Sequence, residues 1–227
     1  MIGSSQWDSM LMYMRMMLEG YRGRFAFRSR ITHSLRVTKW AQRIWNQDGQ
    51  GADREVLLAA SILHAIGYPA KNGEDHGELG AVYAEQYLRN EGYGEAFTSK
   101  VCDLIRNHSR KEFLKRPEEA GDRLTPELRI LMEADLMDEC GPVAVVFDCM
   151  AEAGEKEQSF EKTYRRICKN APVFLECNWM RSSSARTYWE ERQRLLRDYL
   201  EAYEGELFLQ EKMPEEFEKA ADYMIRT

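Results

Sequence analysis

No run in this 227-residue sequence approaches the roughly 20 consecutive apolar residues needed to cross a bilayer, so no membrane span is expected. Paired cysteines are also lacking. The five present (Cys102, Cys140, Cys149, Cys168 and Cys177) are odd in number, widely spaced and without a CxxC. That excludes a disulfide framework and a zinc ribbon, and it suits reduced thiols in a cytoplasm. A basic excess is missing too: the formal net charge is -6, which argues against an extended nucleic-acid partner. The Met-rich start, Met10 to Met17, is interrupted by Arg15 and has no cleavage-site pattern, so it reads as a core-facing helix rather than a signal.

Alternating apolar and polar residues, the mark of a half-buried strand, are scarce. Apolar positions recur instead at helical spacing, and the 44% apolar share suffices for a sizeable core. Helices are expected at about 6–20, 30–47, 53–66, 74–92, 95–108, 126–139, 142–153, 157–169, 183–209 and 214–226. Val143–Phe147 is the one strand-like run, and the polar stretch from about Lys111 to Leu124 reads as a mobile loop. The expected architecture is all-α: one compact domain over 1–227, with a core over about 25–170 and a C-terminal helical extension over about 171–227 packed back on it.

Histidine is rare, and its placement is ordered. All four histidines (His33, His64, His76 and His108) precede Asp135 in one series. His33 shares a helical stripe with Val37, Trp40, Ala41 and Ile44, and His64 lies in the apolar run Val56–Ile66. His76 aligns with Leu79, Gly80, Tyr83 and Tyr87, His108 with Val101, Leu104 and Ile105, and Asp135 with Leu128, Leu131 and Met132. A lone histidine on an apolar face is usually a satisfied core residue. A buried carboxylate needs a cation, a donor or a metal, and five polar groups on five buried stripes are best satisfied together. Imidazoles plus a carboxylate suit Mn, Fe, Zn or Ni. Two basic groups flank the series, Arg22/Arg24/Arg28/Arg30 before His33 and Arg110/Lys111/Lys115/Arg116 after His108. They are either ordinary solvated faces or collectors of phosphate at the mouth of a site.

The segments Ile31-Thr-His-Ser-Leu-Arg-Val37, Leu58-Ala-Ala-Ser-Ile-Leu-His-Ala-Ile-Gly67, Asp75-His-Gly-Glu-Leu-Gly-Ala81, Ile105-Arg-Asn-His-Ser109 and Glu133-Ala-Asp-Leu-Met-Asp-Glu-Cys-Gly141 resemble the HD-domain superfamily of metal-dependent phosphohydrolases. That pattern is H…HD…H…H…D on a helical core. The flanks, with Ser184-Ala-Arg-Thr-Tyr-Trp-Glu-Glu-Arg192 in the tail, are similar to the bacterial nucleoside triphosphate pyrophosphohydrolase-like branch, over roughly Phe25 to Glu206. The resemblance implies His33, His64 and Asp135 as ligands of a main metal, and His76 and His108 as ligands of a second ion or contacts to phosphate. It implies Arg36 as a phosphate or ligand-orienting group and Asp138 as the carboxylate that holds a ligand histidine. Lys71, His76, His108, Lys111 and Arg36 are the substrate-facing expectations. The cofactor would be one or two divalent ions, with Mn, Fe, Co, Ni, Zn and Mg not distinguished. The partner would be a small anionic phosphate compound, most naturally a nucleotide, and a homodimer contact through Trp179, Tyr188 and Trp189 stays open beside a core role.

One signature position departs. Where the family has the metal-binding aspartate, this sequence has Ala65. A structural zinc site is worth roughly 10–16 kcal/mol over four ligands, so one ligand averages about 3 kcal/mol, or about a hundredfold in affinity. The expected state is therefore a weakened metal site and an inactive or impaired phosphohydrolase. Three origins fit: an engineered inactivation, a natural nucleotide-binding form, or a carboxylate supplied by Asp75 or Glu78. The intact remaining signature favours the first. Two other functions stay open, a non-catalytic nucleotide-sensing module and a di-iron oxygenase, the latter most hurt by the alanine. A purely structural helical protein would leave the alignment of all the histidines unexplained.

Overall fold

The computed structural model describes residues 2–23, 25, 27–70 and 75–209. Among them are twelve α-helices and no strand: α1 (Ser4–Leu18), α2 (Arg30–Asp48), α3 (Arg54–Leu63), α4 (His76–Asn90), α5 (Glu95–Asn107), α6 (Glu112–Lys115), α7 (Pro117–Ala120), α8 (Pro126–Asp138), α9 (Pro142–Glu152), α10 (Phe160–Asn170), α11 (Pro172–Glu176) and α12 (Ser183–Leu207). The all-α expectation holds. The expected helix at 214–226 and Lys71 lie outside the described residues.

Local chemistry explains the helix starts that matter for the site. Ser29 caps α2 by accepting from Thr32 N–H, and Asp53 caps α3 by accepting from Glu55 and Val56 N–H at 3.0 and 3.3 Å. Thr125 caps α8 at Leu128 N–H, with Pro126 at the first helical position, where its missing N–H is no loss. Every residue of α3 from Val56 to Leu63 is buried, so this helix is central. It packs on α2, α5 and α8, while α4 pairs with α5. On α1, Met10, Met14 and Leu18 face the core at i, i+4, i+8 spacing and Met12 and Met16 face solvent, as a core-facing helix requires.

The close approach of three helix ends has a glycine explanation. A Cβ on Gly67 would lie 2.1 Å from the His76 carbonyl oxygen, and one on Gly77 would lie 2.9 Å from that of Arg106. Only hydrogens fit there. These two contacts draw the end of α3, the start of α4 and the end of α5 together, and each of those ends carries a histidine.

Helix α12 packs back on α2 and α8. Its N-terminus is held by two carboxylates: Glu133 accepts from Arg181 and Ser182 N–H at 2.5 and 2.7 Å, and Asp48 accepts from Ser184 N–H at 2.7 Å. Trp189 is buried against Phe174, Tyr188 packs against Trp40, and Lys115 lies over Trp179. All three aromatic residues thus find partners inside the chain.

Two local expectations are corrected. Val143–Phe147 lies inside α9, because the Gly141-Pro142 start and packing on α10 outweigh the β-branched preference. The stretch from Lys111 to Leu124 is not a plain loop: it holds α6, α7 and a 3-10 turn at Gly121–Arg123. Arg181 fastens it by donating to the Leu114 and Lys115 carbonyls at 2.7 and 3.1 Å.

Candidate metal centre

The four histidines, from four different helix ends, form a continuous file. Ring centroids are 5.1 Å apart between His33 and His64, 5.1 Å between His64 and His108, and 5.0 Å between His108 and His76. His33, His64 and His108 are buried, and His76 is half-buried.

Hydrogen-bond partners fix which ring nitrogens carry protons. His64 and His108 follow the last residues of α3 and α5, where backbone carbonyls lack helical partners. His64 Nδ1 lies 2.8 Å from the Ser61 carbonyl oxygen, and His108 Nδ1 lies 2.5 Å from that of Ile105. A carbonyl only accepts, so both Nδ1 atoms are donors and both neutral rings present an Nε2 lone pair. His33 Nδ1 lies 2.7 Å from Asp138 Oδ2, a carboxylate whose burial is offset by bonds from His33 and Arg36, so it too donates. Arg36 fixes Asp138 in turn, with Nε at 2.5 Å from Oδ1 and Nη2 at 2.9 Å from Oδ2.

The consequence is a convergence of three polar atoms. His33 Nε2 and His64 Nε2 face each other at 3.1 Å, and His33 Nε2 lies 3.2 Å from Asp135 Oδ1. Without a metal, a proton on His33 Nε2 serves the Asp135 carboxylate and the His64 lone pair, and a divalent cation would take that proton's place between them. One ligand atom from each of His33, His64 and Asp135 lies within 4.8 Å of the others, a set that could hold a metal ion. The donor chemistry therefore fits a divalent cation, with three ligands rather than four. A second pair of facing nitrogens, His76 Nε2 and His108 Nε2, is 3.2 Å apart.

Titration behaviour follows from the same contacts. Burial lowers His33, but hydrogen bonds to Asp135 and Asp138 outweigh it and hold its pKa above the ordinary value. Burial pushes His64 down to about 3 and His108 well below its usual range, so both are neutral and free to ligate. Burial would raise Asp135, yet Lys111 and His33 hold it well below the ordinary carboxylate range.

Ala65 is fully buried just past His64 and offers no ligand atom. Neither alternative carboxylate joins the group. Asp75 is exposed at the start of α4, and Glu78 is exposed and bonded to Arg106 at 2.9 Å. Arg36 orients Asp138, and Lys111 Nζ lies 2.7 Å from Asp135 Oδ2. Of the first basic group, Arg28 pairs with Glu139. Arg30 lies over the Tyr68 ring at 3.6 Å, and Tyr68 stacks on His76 at 4.1 Å. The buried Arg30 Nη1 has no hydrogen-bond partner. Tyr68 is absent from the sequence expectations, because a Tyr in a Gly-Tyr-Pro turn carries no mark of a ring stacked on His76.

Residues 30–139, just under half of the chain, match the model of the HD domain, and that span holds the four histidines, Asp135 and Asp138. Over this stretch the chain is similar to the HD domain. No curated protein matches the sequence at a significant level. Among solved structures, a predicted HD superfamily hydrolase from an uncultured Thermotogales bacterium is 23% identical with a TM-score of 0.61, over 88% of this chain and 92% of its own. An HD-superfamily hydrolase from Bacillus thuringiensis is 16% identical with a TM-score of 0.66, over 91% and 98%. Bacillus subtilis YpgQ, solved in complex with ADP, is 20% identical with a TM-score of 0.63, over 89% and 95%. At these identities the likeness is one of fold.

Proposed function

We propose that this chain is a metal-dependent phosphohydrolase of the HD type, acting on nucleotides or small phosphate esters and impaired by Ala65. The observation that carries the reading is the convergence of His33 Nε2 and His64 Nε2, 3.1 Å apart, on Asp135 in one buried group that could hold a metal ion. His33, His64 and Asp135 would hold a divalent cation, which when bound polarises a phosphoryl oxygen and acidifies water.

The remaining residues act on their own account. Asp138 and Arg36 keep the His33 ring turned so that Nε2 faces the centre. His108 and His76 face one another beside the main group, where a second ion or a phosphate oxygen would sit. Arg30, with its unpartnered Nη1, offers a planar guanidinium to an anion at the Tyr68–His76 stack. A nucleotide as substrate accords with the ADP held by the fold relative YpgQ.

The test is hydrolysis of a ribo- and deoxynucleotide panel with Mn²⁺ by the chain and its Ala65→Asp variant, separating phosphate from pyrophosphate. The aspartate form should turn over about a hundredfold faster at limiting metal, the effect of one restored ligand. Silence from both forms, with metal and nucleotide bound, would leave the chain as a nucleotide-sensing module. That second reading draws on the same alanine, which removes a ligand without disturbing the rest of the file.

A further inference from the structure

Asp135 divides its two oxygens. Oδ1 faces His33 Nε2, while Oδ2 takes the Lys111 ammonium at 2.7 Å. The same ammonium donates to the His108 carbonyl at 2.8 Å, and the Lys111 side chain is only 18% exposed. Both side-chain hydrogen bonds of Lys111 thus go to the histidine site.

Charge counting shows what that bond does. Asp138 is balanced by Arg36, His64 and His108 ligate as neutral rings with Nδ1 donating to backbone carbonyls, Ala65 contributes nothing, and a metal at His33 Nε2 displaces the proton held there. Asp135 carries one negative charge and Lys111 one positive, so the pair is already neutral. A dication added beside an intact pair would leave two uncompensated positive charges in a buried site. Such a charge is far more costly there than in water. Turning Lys111 away halves that excess, and its flexible four-carbon stem allows this without moving a helix. It sits just before α6, in the connection from α5.

We infer that Lys111 is an internal counter-cation that competes with the metal ion for Asp135, so that metal loading releases its ammonium from the site. The inference rests on the metal reading proposed above, not on turnover. An aspartate at position 65 would supply the second negative charge that lets both cations stay. With alanine there, ammonium and metal exclude one another.

The test measures metal alone. Mn²⁺ affinity by equilibrium dialysis, and Co²⁺ binding by visible absorption, would be compared for the chain and its Lys111→Met variant at neutral pH. The methionine form should bind at least about tenfold more tightly, and its metal-free form should melt at a lower temperature than the parent. Equal or weaker binding by the variant overturns the proposal, as does the absence of metal binding in both. Should the variant not fold, the unmodified chain is titrated with Mn²⁺ while acetylation of Lys111 by acetic anhydride is followed by peptide mass spectrometry. Faster acetylation on metal loading supports release, and unchanged protection at saturating metal overturns it. Neither readout depends on hydrolysis, so failure of the Ala65→Asp assay is a separate result.

Discussion

Helix α8 carries two buried carboxylates two residues apart, Glu133 and Asp135, which serve different partners. Glu133 looks toward the start of α12 and accepts two backbone N–H bonds. Asp135 looks toward the histidine file and meets Lys111 and His33. Burial dominates at Glu133: despite those bonds and the pull of Arg129, its carboxyl sits above the ordinary range. At Asp135 burial is overcome by the Lys111 charge and the His33 bond, and the carboxyl sits well below it. Burial is shared by the two; a direct ion pair, Lys111 on Asp135 at 2.7 Å, is not. A buried acid at a helix N-terminus is a fastening, and Asp135, beside an ammonium and two imidazoles, is the one placed to serve the proposed metal site.

The comparison breaks most sharply at Asp135. Asp135→Asn should abolish Mn²⁺ binding in equilibrium dialysis and, by leaving Lys111 buried without a counter-charge, cost about 3 kcal/mol in urea denaturation. Retained metal affinity would return Asp135 to the same class as Glu133. Next comes Asp138→Asn, which keeps the shape but loosens the His33 ring; metal affinity should fall by about 10- to 100-fold with little loss of stability. The smallest effect is expected at Glu133→Gln, within about 1 kcal/mol at neutral pH and with metal affinity unchanged, since the amide oxygen still accepts the α12 N–H groups.

Stability against pH sharpens the same contrast. Asp135 and Asp138 have lowered values, so their contribution is full above the ordinary carboxylate range and is lost as pH falls through the folded values. Glu133 has a raised value: the folded state holds its proton more tightly, and its contribution declines as pH rises through the folded value. Urea melts from pH 2 to 7 should therefore lose the Glu133 component, which falls in the upper part of that range, in Glu133→Gln and keep the opposing acid loss below the ordinary carboxylate range. An unchanged profile in that variant would remove Glu133 from the account.

The helices around the file were legible in the sequence because each buries a stripe at regular spacing, as Val37, Ala41 and Ile44 do beside His33. That the histidines and Asp135 belong together was expected because a buried carboxylate demands partners; the narrower trio of His33, His64 and Asp135 came from the family resemblance. What escaped was set by packing between distant segments. Helices α6 and α7 are four residues each, too short to show a period, and hold through Arg181 from far along the chain. Lys111 reads as a surface phosphate collector until α5 and α8 bring it to Asp135. Arg30 over Tyr68 likewise joins a helix start to a turn, with no local signal in either.

His64 and His108 owe their orientation to the carbonyls of Ser61 and Ile105, each three residues back along the same chain. A side-chain support can be deleted by one codon change, whereas a backbone carbonyl is present whatever residue occupies the position. Half of the file therefore keeps its aim through sequence drift that leaves the helix ends in place. Under the reading proposed above, the chain with Ala65 keeps those rings already turned inward, and a carboxylate at that one position would meet them without any change of helix end.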